Sequence, residues 1–190
     1  MNLDTSPALE ASFDFESGVL GARLPAEAQA LIEAAGLCRS EPDRAEPLLL
    51  HAQALAPDHP ATLIALYRFY FYGHRLELAR EVATLALKVG RVALGGVWQA
   101  PFTDEQARFD AAVRFYLFSL KGYAYLCLRL GDLTEGRQAL SILKQMDPQD
   151  RVGGGVLAHV LAKAEAGESG DEEASSVPPQ PMGHRGWGAP

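Results

Sequence analysis

The chain has 190 residues and a net charge of −7 at neutral pH, from 24 acidic and 17 basic side chains. One domain fits that length, and the acidity argues against nucleic acid or an anionic bilayer as the main ligand, since both need clustered cations. Two cysteines, Cys38 and Cys127, make no disulfide framework and suit a reducing cytoplasm.

Residues 1–24 carry Asp4, Glu10, Asp14 and Glu16 against Arg23, which is not the basic-then-apolar pattern of an export leader. This reads as an acidic N-terminal segment, ordered in part at best. Helical signals then follow, with no convincing strand. Pro25 stands at a helix start, where its missing N–H costs nothing, and Ala28, Leu31, Ile32 and Ala35 share one face before Gly36 weakens the end. A second helix starts near Pro42, carries Ala45, Leu48, Leu49, Ala52 and Leu55 at three- and four-residue spacing, and stops before Pro57. A third follows Pro60 and reaches Gly73. The fourth, LELAREVATLALK, is expected to end near Gly90. Thr103 and Gln106 form a capping-box pair that opens one long helix to Leu130. Its apolar stretch is broken by Arg114, Lys121 and Arg129, short of the ~20 apolar residues that span a bilayer. Gly131 and Asp132 turn the chain into a helix ending at Met146, and after Gly153, Gly154 and Gly155 a closing helix is expected over 156–166. Segment 167–190 carries Glu168, Asp171, Glu172 and Glu173 against Arg185, with Pro178, Pro179 and Pro181, and is expected to be disordered.

Helix pairs joined by tight turns prompt a search for self-similarity. Ala45 and Ala79 lie 34 residues apart, as do Ala52 and Ala86, each in the second helix of its pair. Small residues are needed there because helix backbones at a close crossing approach to ~8–10 Å. In this respect the chain resembles the tetratricopeptide repeat family. The first copy is Gln29, Ile32, Glu33, Gly36, then Ala45, Leu49, Ala52, Pro57. The second is Leu63, Leu66, Tyr67, Tyr70, then Ala79, Ala83, Ala86, with Arg91 where proline is expected. The third is Leu120, Tyr123, Ala124, Cys127, then Gly136, Leu140, Leu143, Pro148, and it starts 23 residues later than the period requires. The resemblance implies an all-α solenoid of about three helix pairs over 25–166, with an apolar insertion at about 90–103 and a C-terminal capping helix.

The same resemblance implies that the first helix of each pair lines a concave groove. Off the inward face lie Ile64, Arg68, Phe71 and Tyr72 in the second copy, and Phe118, Lys121, Tyr125 and Arg129 in the third, with Arg114 one turn upstream. Residues four apart share a helix face, and cations interleaved with aromatics suit a carboxylate beside an apolar side chain. The alternative is that these cations solvate an outer face while their stems cover apolar surface. Family members that clamp a C-terminal carboxylate use groove asparagines. Asn2 is the one asparagine here, so that detailed analogy is set aside.

The insertion holds Val92, Leu94, Val97, Trp98 and Phe102, too apolar for a routine solvated loop. It either covers the gap it creates or presents Trp98 to a partner. His51, His59, His74, His159 and His184 lack metal-ligand spacing, and Gly153, Gly154 and Gly155 lack the strand and Lys-Ser/Thr of a phosphate loop. No nucleophile elbow or carboxylate pair points to catalysis. The expectation is a cytoplasmic, non-catalytic protein-binding module without a cofactor, an adaptor or assembly chaperone for another protein or peptide. Size, acidity and repeat number also resemble the small chaperones of type III secretion. The stretch HPATLIALYRFYFYGHRLELA resembles small repeat proteins that accompany nitrogen-fixation genes, which implies help with metalloenzyme assembly.

Overall fold

Local chemistry at the helix starts divides the chain into its elements. His59 Nδ1 accepts the Ala61 N–H at 3.2 Å, and Thr103 and Gln106 exchange reciprocal bonds of 3.2 and 2.9 Å as a complete capping box. A computed structural model describes residues 23–96, 100–159 and 161–162. Every regular element among them is helical: α1 Ala26–Leu37, α2 Pro42–Leu55, α3 Pro60–Tyr72, α4 Leu76–Ala93, α5 Asp104–Phe109, α6 Ala111–Arg129 and α7 Leu133–Met146. Residues 155–159 and 161–162 are helical as well. No helix among the described residues is long and apolar enough to cross a membrane. The expectations for 1–22, for Val97 and Trp98, and for 167–190 lie outside the described residues.

Two boundaries differ from the sequence reading. The single long helix expected from Thr103 to Leu130 is divided at Asp110, whose ψ of 115° is extended. Its Oδ1 accepts the N–H groups of Ala112 and Val113 at 2.9 and 3.0 Å, so one carboxylate ends α5 and caps α6. Apolar spacing runs on across that point and gives no sign of the break. The fourth helix, in turn, does not end at Gly90 but continues to Ala93. Gly90 is a point of close approach: a Cβ there would lie 3.2 Å from Tyr116 Cβ and 3.3 Å from Tyr116 Cα.

Consecutive helices pack as pairs, α1 with α2, α3 with α4 and α6 with α7, and the pairs join through α2 on α3 and α4 on α6. The crossings depend on small side chains. Ala28, Ala45, Ala52 and Ala79 have no exposed surface. A Cβ at Gly136 would lie 2.6 Å from Leu128 Cδ2. In α1 the inward face is Ala28 and Ala35 with Leu31 and Ile32 beside them, while Gln29 and Glu33 are exposed and bonded to each other at 3.0 Å. The first copy's inward positions are therefore displaced from Gln29, Glu33 and Gly36, because its polar residues favour water over the crossing.

One core gathers Leu63, Leu66, Tyr70, Ala79 and Ala83 with Phe115 and Leu126, and a second gathers Phe102, Val113, Tyr116, Leu117, Leu140 and Leu143. Within the insertion, Phe102 is buried, its N–H bonded to Met146 O at 3.0 Å and its ring edge-on to Tyr116, so this residue covers the gap between helices. Leu94 packs against the same core, whereas Val92 is exposed. A separate tie comes from Glu46, which pairs with Arg75 and accepts the Tyr70 hydroxyl at 3.0 Å, joining α2 to the α3–α4 turn. The bond from Arg75 holds the Glu46 carboxyl below the usual carboxylate range, with Tyr70 adding to it against the opposing effect of burial.

Gly90→Leu is expected to cost about 1–3 kcal/mol by overpacking against Tyr116. Gly36→Ala, where an added methyl meets nothing within 4 Å, is expected to add up to about 1 kcal/mol. Asp110→Ala should cost about 1 kcal/mol through loss of the cap. Urea denaturation of the three variants measures each.

Candidate partner-binding groove

The groove is built from two helices that share a support. Gly90 meets Tyr116 near the start of α6, and Arg80 pairs with Asp132 just beyond its end at 3.5 Å, so α4 runs antiparallel to α6 along its length. Because α4 also packs on α3, it holds α3 and α6 side by side, with Ala83 and Ala86 as a shallow floor between them. Tyr67 and Phe71 of α3 meet Gly122 and Tyr125 of α6, and the rising numbers on both sides mean that the two helices run in the same direction.

That bridge is tight. The Tyr67 hydroxyl occupies the notch left by Gly122, where a Cβ would stand 2.7 Å away. Phe71 stacks on Tyr67 with centroids 5.6 Å apart, stands edge-on to Tyr72 at 5.4 Å and packs on Tyr125 at 5.5 Å. Between the helices lies a cavity of about 490 Å³, walled by Leu63, Ile64, Phe115 and Phe118 and closed at one side by Leu157 of the last helical turns.

Arg68, Phe71 and Tyr72 from α3, with Arg114, Phe118, Lys121 and Tyr125 from α6, all line this one cavity. Arg129 does not. It is exposed one turn beyond Tyr125, outside the lining, and Trp98 lies outside the described residues. The lining residues not singled out as groove candidates are Leu63, Tyr67, Ala83, Ala86, Phe115, Ser119, Gly122 and Leu157. Gly122 carried a usable signal, since a glycine in the middle of an apolar helix marks a close approach. Leu157 carried none, because only the path of the chain after 146 brings it here.

The three cations differ in freedom. Lys121 Nζ donates to Val152 O at 2.6 Å, and the turn carrying that carbonyl is held by Asp147, whose Oδ2 accepts the Val152 N–H at 2.9 Å. Arg114 lies over the Phe118 ring at 5.3 Å and donates to the carbonyls of Arg108 and Ala107 at the end of α5. Arg68 has no carboxylate partner among the described residues. Among the described residues no acidic side chain lines the cavity, and the charges they bring to it are all positive.

Among the described residues, no group of three or more His, Cys, Asp or Glu side chains is placed to hold a metal. Cys127 is buried and its thiol is pushed up by that burial, which disfavours the thiolate. Burial, with Tyr125 and Tyr72 adding to it, raises the Tyr67 phenol to about 12. A group raised on folding adds stability below its unfolded value, near 10, and that stability disappears as pH rises through the folded value. The chain is therefore expected to lose stability between about pH 10 and 12, and Tyr67→Phe should flatten part of that loss in denaturant melts run across the alkaline range.

No protein-family model matches the chain, and no solved structure matches it. A protein of Azotobacter chroococcum mcd 1, described as an uncharacterized 19.8 kDa protein in the nifW 5′ region, is 41% identical over 128 residues, which cover 64% of this chain and 72% of that protein. An identity of that level across most of the relative reflects common descent, and the chain belongs to the same protein family as this nifW-region protein.

Proposed function

We propose that the protein is a non-catalytic protein-binding module, an adaptor or assembly chaperone, built as three tetratricopeptide-like helix pairs. Its groove between α3 and α6 takes a partner segment that carries a carboxylate next to an apolar side chain. The observation that carries this reading is the cavity of about 490 Å³ whose lining combines three cations with five aromatic residues of α3 and α6 and, among the described residues, no acid. The remaining aromatic, Phe115, belongs to the core beneath. Phe118 and Tyr72 stay exposed at the rim, 45% and 70% accessible, where an apolar side chain of a partner would cover them. Arginines beside such walls bind carboxylates more strongly than they do in open water.

A narrower reading is supported by the relative. A protein from the nifW 5′ region suggests a role beside nitrogen fixation, and a groove module fits an accessory factor that holds a metalloenzyme subunit during assembly. Localisation in the cytoplasm belongs to the same proposal.

Arg68→Glu tests the groove with least damage to the fold, because Arg68 has no ion pair among the described residues to lose. It is expected to weaken partner binding about ten- to a hundredfold. The measurement is affinity capture from native extract with wild type, Arg68→Glu and Arg129→Glu, the last giving the same charge change outside the groove. Partners kept by wild type and Arg129→Glu but lost by Arg68→Glu support the groove. An identical set captured by all three rejects it.

A further inference from the structure

We propose that the groove is a docking site for its own chain: the acidic segment 168–173 binds Arg68 and Arg114 and competes there with the partner's carboxylate. This rests on the groove reading above and adds its regulation. The first argument is where the described chain leaves the fold. Lys121 holds the Val152 carbonyl at 2.6 Å, Asp150 Oδ1 accepts the Gly155 N–H at 3.0 Å, and Leu157 then forms one wall of the cavity. The chain is thus pinned at the groove before it continues past 162. From there to Glu168 is a reach of up to about 20 Å, enough to cross the groove without a detour.

The second argument is charge. Glu168, Asp171, Glu172 and Glu173 lie within six residues, and the described groove lining holds three cations and no acid. A connection this short gives an effective concentration on the order of millimolar. Weak intrinsic docking, in the range of about 0.1 mM, then suffices to occupy the groove and reduce apparent partner affinity about tenfold. A partner must displace the segment, so only segments that combine charge with an apolar anchor succeed.

The test uses the full chain and a fluorescently labelled peptide of residues 167–190. The peptide is titrated into wild type and into the variant Glu168→Gln/Asp171→Asn/Glu172→Gln/Glu173→Gln, whose own segment is neutral. The neutralised chain is expected to bind the peptide about tenfold more tightly than wild type does. Adding Arg68→Glu to it should abolish that binding, and adding Arg129→Glu should leave it intact. Absence of binding to the neutralised chain, or equal loss with Arg129→Glu, overturns the inference. If the peptide fails to bind while Arg68→Glu still loses its extract partner, the docking of the segment is wrong and the groove reading stands. If neither responds to Arg68→Glu, both fall.

Discussion

The helices α3 and α6 lie side by side with an open channel between them because a third helix packs against both. In this protein α4 is that third helix, and its grip depends on how little side chain it presents. Ala79, Ala83 and Ala86 let α3 approach, and Gly90 lets the backbone of α6 come within van der Waals contact at Tyr116. Larger residues at these positions would push one wall away from the support. The channel would then either collapse or open into bulk solvent. The groove's width, its floor and the pairing of its aromatic walls depend on this close crossing.

The walls are themselves locked. Tyr67 fills the notch at Gly122, and the stack from Tyr67 through Phe71 to Tyr125 ties α3 to α6 at their C-terminal ends. Such a bridge makes the concavity preformed, so little conformational freedom remains to be lost when a ligand enters. Two of its cations are also held in place, Arg114 by carbonyls at the end of α5 and Lys121 by the Val152 carbonyl. An ammonium has three donors, so Lys121 keeps capacity for a ligand after that contact. Arg68 is the lining cation without a carboxylate partner among the described residues.

The turn after α7 connects the groove to the rest of the chain. Asp147 closes it, Lys121 reads its carbonyl, and Leu157 arrives at the cavity as a result. The relative from the nifW 5′ region puts the chain in a protein family, while neither a family model nor a solved structure provides an analogy for the groove.

Much of the helical framework was legible because its signals are local. Pro25, Pro42 and Pro60 restrict the backbone where helices begin, and the capping pair Thr103 and Gln106 acts within four residues. Most groove residues could be read for the same reason, since three- and four-residue spacing alone puts Lys121 and Tyr125 on one face. What the sequence left open were effects of contact between distant segments. Gly90 reads as a stop until Tyr116 is seen against it, and Asp110 reads as helix until its carboxylate is seen to cap α6. Arg129 shares the stripe of Lys121 and Tyr125 yet falls outside the cavity, while Leu157 joins it from a separate element. Local sequence thus determined which residues become helical and which faces they offer. Only tertiary packing decided which faces meet, because the approach of two helices depends on the sizes of side chains far apart along the chain.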